Sequence, residues 1–368
     1  MVSGLAAGLV LLGVGAGGTV AGVTGRLTDH GTDHGALMIF GFIGGAIGLE
    51  RTVAARTRWS WAGPVANALG VVTLLGGAPR PVPAAAFTVS FLVLGAVYAL
   101  IHRRQATLSV LVQATGVIGG VLATVTWGGG ADVADVVPFA VVFTVATIIG
   151  ERMELARVSF AGAAADTLIT ALVIALTAAA LIFALRPQLG FLLMGGLLVA
   201  VALITVRVDA ARRRVHAGRL PRYTATCMLA GYAWLIVAGL LWVGVGHTRA
   251  GHLHDAAVHS VFLGFVISMI FAHAPFILGG VIRKTIPYHP ALYLPVIVLH
   301  AGLVLRIVAD LRAATDLPGT GAWAPAAWQL GGVINVLAIL GFALTAAILI
   351  TTDRRRRRRA RERRLARV

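Results

Sequence analysis

The sequence predicts an all-α, polytopic membrane protein with 12 transmembrane helices in three pseudo-repeats of four. Three observations lead to this prediction: an apolar composition, apolar runs of membrane-spanning length, and basic residues concentrated in alternate connections. Hydrophobic residues make up 58% of the chain and charged residues 12%, and the mean hydropathy is +0.89. This composition is typical of membrane proteins and excludes an ordinary water-soluble domain.

Apolar runs of spanning length recur along the whole chain, since a helix needs about 20 residues to cross about 30 Å of hydrocarbon. The predicted spans are 4–23, 34–55, 60–78, 83–101, 106–126, 135–153, 161–185, 188–208, 222–246, 256–282, 288–310 and 325–351. The first run has no basic residue ahead of it, so we interpret it as a retained span and not as a signal peptide. Residues 1–352 then form a single transmembrane domain, and 353–368 form a basic tail.

Arginine and lysine lie mainly in the connections that follow even-numbered spans, including the arginines between positions 207 and 222 and the tail from Arg354 onward. With twelve spans, these connections share one side of the membrane with both termini. The positive-inside rule places that side in the cytoplasm. We therefore predict a multi-pass protein of the inner (plasma) membrane with cytoplasmic termini. The net charge of +17 then indicates contact with anionic membrane lipids and not with nucleic acid.

Helices 2 and 6 end in similar sequences, I-G-L-E-R at 47–51 and I-I-G-E-R at 148–152. Basic blocks also close helices 4, 8 and 12. This pattern predicts three parallel four-helix units around an axis along the membrane normal. Helices 2, 6 and 10 are then equivalent and meet near the centre.

His34 begins the second apolar run, which is rich in glycine. An ionisable residue in a membrane-length segment indicates a functional site, and a capping role at the membrane interface is the alternative. His259 lies at a similar depth on helix 10, because about 36 Å of helix separate it from Arg283 and about 33 Å separate His34 from Arg56. Two facing imidazoles are the ligand set of a bis-histidine heme iron, whereas tetrahedral zinc needs four ligands.

The sequence at 34–40, H-G-A-L-M-I-F, resembles the H-G-x-x-M-[IL]-F motif of the catalytic subunit of heme-copper oxidases, in which the histidine ligates the low-spin heme. The segment from His254 to Met269 resembles helix 10 of that family, with a shorter spacing after His-Asp. That family also has twelve helices in three pseudo-repeated arcs. The resemblance implies one b-type heme bound near the outer face by His34 and His259.

Helices 6 and 7 contain neither histidine nor tyrosine, although the oxidases bind copper there. An oxidase-type copper site, and oxygen reduction by the oxidase mechanism, are therefore not expected. In this respect the sequence is similar to the NnrS-like group of twelve-helix heme membrane proteins, which is associated with resistance to nitrosative stress. The resemblance implies electron transfer, or binding of a diatomic gas such as nitric oxide. An electron-transfer role would involve a small redox protein or a quinone as partner.

Two further histidines and two arginines are candidate site residues. His273 and His300 match in depth on helices 10 and 11, so they could bind a second heme or a metal such as copper; a hydrogen-bonded structural pair is the alternative. Arg306 and Arg312 are candidates for pairing with heme propionates, because guanidinium matches carboxylate geometry. For Arg306 the alternative is an ion pair with Asp310.

Glu-Arg pairs at 50–51 and 151–152 are interpreted as structural ion pairs, with an inner proton entrance extended by Asp166 and Asn335 as the alternative. An outer cluster of His247, His252, His254 and Asp255, with positions 29 and 30, either collects copper or zinc or forms a polar loop.

A function of another class remains open: a transporter of metal or a small solute that uses Glu50, Glu151, His273 and His300. The sequence makes no prediction of a catalytic residue or of the number of subunits.

Overall fold

A computed structural model describes residues 1–11, 33–155, 163–282, 286–315 and 323–365, and every regular element in these ranges is helical. The long helices are α1 Val2–Leu11, α2 His34–Ala55, α3 Ala62–Leu75, α4 Pro81–Arg104, α5 Leu108–Gly128, α6 Val133–Leu155, α7 Ala163–Leu185, α8 Pro187–Val208, α9 Arg219–Val245, α10 252–282, α11 Tyr293–Ala314 and α12 Ala324–Leu365. Short helical turns occur at Trp59–Trp61, Ala211–Arg214 and Pro290–Leu292.

Among the described residues, 10 helices are long and apolar enough to cross a membrane: α2 and α4 to α12. The chain is therefore an integral multi-pass membrane protein, as predicted. Most of the predicted first span lies outside the described residues. The third forms α3, whose 14 residues extend only about 21 Å. The count of twelve spans and the three pseudo-repeats stay predictions.

Helix α6 lies at the centre of the bundle, because nearly every residue from Val136 to Met153 is buried. From Val136 to Gly150 its sequence has no charged residue, which is typical of a helix surrounded by protein or lipid. Peripheral helices instead expose large apolar side chains, such as Leu92, Leu189 and Leu240. In a multi-pass protein these exposed side chains face membrane lipids.

Glycines allow close backbone contact between neighbouring helices. A Cβ atom on Gly195 of α8 would lie 2.7 Å from the carbonyl oxygen of Gly239 on α9. In the same way, a Cβ on Gly331 of α12 would lie 2.7 Å from the carbonyl oxygen of Gly302 on α11. Membrane helices pack through small residues of this kind, because close approach increases van der Waals contact.

Two helices contain an eight-residue π-helical segment: Leu37–Gly44 in α2 and Ser260–Ile267 in α10. Such segments are rare and occur frequently at functional sites, because the widened turn changes the direction of the side chains. In both helices, α-helical residues precede and follow the π-helical segment.

The two ends of the bundle carry different side chains. The end that includes Arg56, Arg104 and Arg214 is called the arginine-rich end. The end that includes His34 and His259 is called the histidine end.

Candidate functional site

A cavity of about 330 Å³ lies at the histidine end. Its wall is formed by α1, α2, α6, α10, α11 and α12, and we call it the histidine cavity. His34 and His259 both line it. The structure therefore brings the two histidines that the sequence singled out to one cavity, although 225 positions separate them in the chain (259 − 34).

His34 is the first residue of α2, and its orientation depends on α1. The Nδ1 atom lies 2.7 Å from the carbonyl oxygen of Gly4. A carbonyl oxygen only accepts, so Nδ1 carries the proton, and Nε2 of the neutral ring has a free lone pair. The ring also packs closely on α1, because a Cβ on Gly8 would lie 2.8 Å from its Cε1 atom.

His259 ends the first α-helical segment of α10, His252–His259. Its Nδ1 atom lies 2.9 Å from the carbonyl oxygen of Asp255 and 3.2 Å from the Oδ1 atom of the same residue. Both neighbours are acceptors, so Nδ1 again carries the proton. Within the described chain, Nε2 of neither imidazole has a hydrogen-bond partner. Histidines that bind metals are typically oriented in this way by their second nitrogen.

Both histidines stand just ahead of a π-helical segment, His34 three residues before Leu37 and His259 directly before Ser260. These π-helical segments were not predicted from the sequence. The two segments share a glycine between aromatic residues, at 40–42 and 262–265, but apolar periodicity alone does not distinguish a π-helical turn from an α-helical one.

An ion pair lies beside His259 in the wall of the histidine cavity. Arg306 of α11 donates from Nε and Nη2 to the two carboxylate oxygens of Asp255, each at 2.7 Å. The indole Nε1 of Trp328 donates to the same carboxylate at 3.1 Å, and the Arg306 guanidinium lies 4.9 Å from the indole ring centroid. Arg306 thus pairs with Asp255 and not with Asp310. Trp328 could not be singled out from the sequence, because a tryptophan in an apolar helix is commonplace.

Other histidines of the predicted outer cluster have separate partners. His252 Nδ1 lies 2.8 Å from a carboxylate oxygen of Asp310, and His247 Nε2 lies 4.0 Å from one of Asp135. His254 lines the histidine cavity. Positions 29 and 30 lie outside the described residues. In the part of the chain that the structure describes, no group of three or more His, Cys, Asp or Glu side chains could hold a metal ion.

Arg312, the second predicted propionate partner, is exposed near the end of α11. It is absent from the lining of the histidine cavity. Asn335, by contrast, lines this cavity and donates from Nδ2 to the carbonyl oxygen of Leu299 at 2.7 Å.

A second and larger cavity, of about 1090 Å³, lies at the arginine-rich end. We call it the arginine cavity, and its lining includes Glu50, Glu151, Arg152 and His273. The glutamates near the ends of α2 and α6, which the repeat pattern made equivalent, therefore face one space.

The charged residues at this end form ion pairs between helices. Arg51 of α2 lies 3.1 Å from Glu154 and 3.8 Å from Glu151, both on α6. Arg152 donates to both carboxylate oxygens of Asp209, at 3.1 and 3.0 Å. Arg51 therefore links α2 to α6, as the structural interpretation predicts. Arg152 instead pairs with Asp209 and not with a glutamate.

His273 and His300 have different partners. The Nδ1 atom of His273 donates to the carbonyl oxygen of Met269 at 2.7 Å, and its Nε2 accepts from Arg152 at 3.3 Å. His300 accepts from the indole of Trp234 at 3.0 Å. Neither His273 nor His300 lines the histidine cavity. A ligand role for these two histidines stays a prediction.

A family model described as a domain of unknown function (DUF8744) matches residues 1–351. The chain belongs to this family. The match includes every residue that lines either cavity, so both cavities lie within the family's domain. No curated protein matches the chain, and no solved structure matches it.

Proposed function

We propose that this protein holds one b-type heme in the histidine cavity, with His34 and His259 as its two iron ligands. One observation carries the proposal: two imidazoles from different helices line one cavity, and each has its Nδ1 hydrogen bonded to a carbonyl and its Nε2 unpaired. A bis-histidine heme iron needs two such nitrogen atoms. A structural zinc site would need four ligands.

The rest of the lining is compatible with a flat, apolar group. Apolar side chains from five helices face the cavity: Leu5, Met38, Ile39, Ile43, Val133, Val137, Phe262, Leu263, Ile267, Val336 and Ile339. The volume of about 330 Å³ is within the range of about 300–1,000 Å³ that ligand pockets occupy. Arg306 supplies the guanidinium group of the lining. It would share its N–H donors between Asp255 and a heme propionate. Arg312 would need a propionate that reaches the exposed end of α11.

A bound heme would supply a one-electron redox centre or a binding site for a diatomic gas. The proposed function is therefore electron transfer, or binding of a gas such as nitric oxide at the outer side of the membrane. The similarity to NnrS-like proteins favours nitric oxide. His34 and His259 would hold the iron, and the apolar lining would exclude water. A small redox protein or a quinone would exchange the electrons.

Visible absorption of the full-length protein, purified from membranes with added heme precursor, tests the proposal. We expect a reduced-minus-oxidised spectrum with a Soret shift and the α band of a low-spin, six-coordinate b-type heme. The double variant His34→Ala/His259→Ala should lose this spectrum. His102→Ala is the matched control, because it removes an exposed imidazole that lies outside the cavity. A wild-type protein without the difference spectrum, or a double variant that retains it, would refute the heme site.

The arginine cavity favours a second candidate function, a transporter of metal or a small solute. Glu50, Glu151 and His273 line that cavity, whereas His300 does not. A heme-free wild type whose proteoliposomes take up a divalent metal or solute would support this function. The Glu50→Gln variant should then lose uptake, whereas Glu154→Gln, which changes a carboxylate outside the lining, should retain it.

A further inference from the structure

We propose that the two histidines have unequal roles. His259 is the permanent iron ligand, and His34 is the exchangeable ligand whose place a diatomic gas takes. This proposal rests on the proposed heme site. It adds that a gas would bind at the position that His34 occupies and not at that of His259. It follows from the different ways in which the two imidazoles are held.

His259 is held within its own helix by a carboxylate. Asp255 lies one helical turn earlier and presents both its carbonyl oxygen, at 2.9 Å, and its Oδ1 atom, at 3.2 Å, to Nδ1. Because the contact spans only four residues of one helix, movement of neighbouring helices does not break it. A carboxylate bonded to the Nδ1 proton increases the basicity of the ring, and so strengthens the bond that Nε2 makes to a metal.

Two other helices fix the Asp255 carboxylate in this position. Arg306 of α11 donates to both carboxylate oxygens of Asp255 at 2.7 Å, and the indole of Trp328 on α12 donates to the same carboxylate at 3.1 Å. Charge-assisted, bidentate contacts of this kind are roughly twice as strong as neutral hydrogen bonds. The orientation of His259 is thus supported by α10, α11 and α12 together.

His34 depends on one neutral hydrogen bond from another helix. Its Nδ1 atom donates to the carbonyl oxygen of Gly4 on α1, and no carboxylate shares this proton within the described chain. A shift of α1 against α2 would break the bond, because donor and acceptor lie on separate helices. His34 is therefore the weaker and less firmly oriented ligand, and it should yield first to a competing gas.

Heme content, spin state and carbon monoxide binding of single variants test the inference. We expect His259→Ala to lose most of its heme. His34→Ala should retain heme in a high-spin form that binds carbon monoxide rapidly and completely after reduction. The wild type should bind carbon monoxide slowly or partially. Asp255→Asn should lower heme affinity by about 10–100-fold, as is typical when a partner of a metal-ligating histidine is changed.

Asp135→Asn is the matched control for Asp255→Asn, because Asp135 is a carboxylate that contacts His247 and Arg249 and not His259. It should leave heme affinity unchanged. If His259→Ala does not fold, as judged by gel filtration, the Asp255→Asn and Asp135→Asn pair decides the question alone. Imidazole added to His259→Gly should also restore heme binding, which distinguishes a lost ligand from a lost fold.

Three results would overturn the inference: equal heme loss in both single histidine variants, the reverse order of loss, or equal heme affinity in Asp255→Asn and Asp135→Asn. Each of these results leaves a wild-type heme spectrum in place, so the proposed function would survive. A wild type without heme would instead remove the proposed function and the inference together.

Discussion

Arg152 and Asp209 show how a single pair of residues stabilises the arginine-rich end of the bundle. Both side chains are buried, and the Tyr232 hydroxyl donates to the same carboxylate at 2.7 Å. The Asp209 Oδ1 atom also accepts from the backbone nitrogen of Ala211 at 2.9 Å. Both charges in this group therefore have partners, and removal of one residue would leave a buried charge without its partner.

We predict that Arg152→Ala lowers the stability by about 3–5 kcal/mol, because it leaves the Asp209 carboxylate buried without its cation. Thermal unfolding in detergent measures the loss. Arg212→Ala is the matched control, since Arg212 is exposed and such surface changes usually stay within about 0.5 kcal/mol. Equal unfolding temperatures for the two variants would show that the ion pair contributes nothing.

His247 makes the stability dependent on pH. Its ring packs against Phe183 and Phe191, with centroids 5.3 and 5.0 Å apart. This burial lowers the pKa of the imidazole from its ordinary value of 6.5, and the Asp135 carboxylate opposes the effect only in part. The unfolded chain keeps the ordinary pKa. It therefore binds more protons than the folded protein just below pH 6.5, and acid favours unfolding.

The contribution of His247 to the free energy of unfolding should accordingly be complete above about pH 6.5, and it should decrease as the pH falls through that value. Unfolding temperatures measured from about pH 8 to about pH 5 should fall less steeply in His247→Gln than in the wild type, because the substituted side chain does not titrate. The exposed His102 supplies the control His102→Gln, which should keep the wild-type slope. An unchanged slope in His247→Gln would contradict the assignment.

At the scale of helices, close packing depends on which face a small residue occupies. Gly195 and Gly196 are neighbours on α8, yet a Cβ on Gly195 would lie 2.7 Å from a backbone oxygen of α9, whereas a Cβ on Gly196 would contact nothing within 4 Å. Both glycines lie in the interior of the same helix. They therefore differ only in how closely the neighbouring helix packs against them.

We predict that Gly195→Ala destabilises the protein by about 1–3 kcal/mol, because the added methyl group forces α8 and α9 apart. Gly196→Ala should be neutral or stabilising, since alanine favours the helix over glycine by up to about 1 kcal/mol. Unfolding temperatures of the two variants in one detergent measure the difference. Destabilisation by both substitutions to the same extent would show that helix contact is not the cause.

At the scale of the whole molecule, the unequal distribution of arginine predicts the orientation in the membrane. The connections at the arginine-rich end should face the cytoplasm, which would place the histidine cavity near the outer surface. This orientation determines the side from which a gas or a redox partner reaches the proposed heme.

Cysteine labelling in intact cells measures that orientation. Cys227 is buried, so a Cys227→Ala background removes the native thiol with little effect on the surface. Asp132→Cys should react with a membrane-impermeant maleimide in intact cells. Arg214→Cys should react only after the cells are permeabilised. The reverse pattern would place the histidine cavity on the cytoplasmic side.

The class of the protein and the positions of most helices follow from the amino-acid sequence alone. Helix α2 begins at His34, as predicted, and α6 spans Val133–Leu155 against a predicted 135–153. These features are predictable because a backbone that crosses lipid must satisfy its hydrogen bonds within one segment. The length and apolarity of that segment are therefore enough to specify a helix. The depth of a residue along a helix follows from the constant rise per residue. His34 and His259 could therefore be predicted to lie at similar depths in the membrane.

The contacts between polar groups of different helices could not be predicted from the sequence and are seen in the folded structure. Arg306 pairs with Asp255, 51 residues away, and not with nearby Asp310. Trp328 joins this pair from a third helix. A helix that is apolar on every face carries little periodic signal of which side lies inward, so the rotation of each helix is set by packing against its neighbours. The histidine cavity, the two π-helical segments and the unequal support of His34 and His259 all depend on that packing.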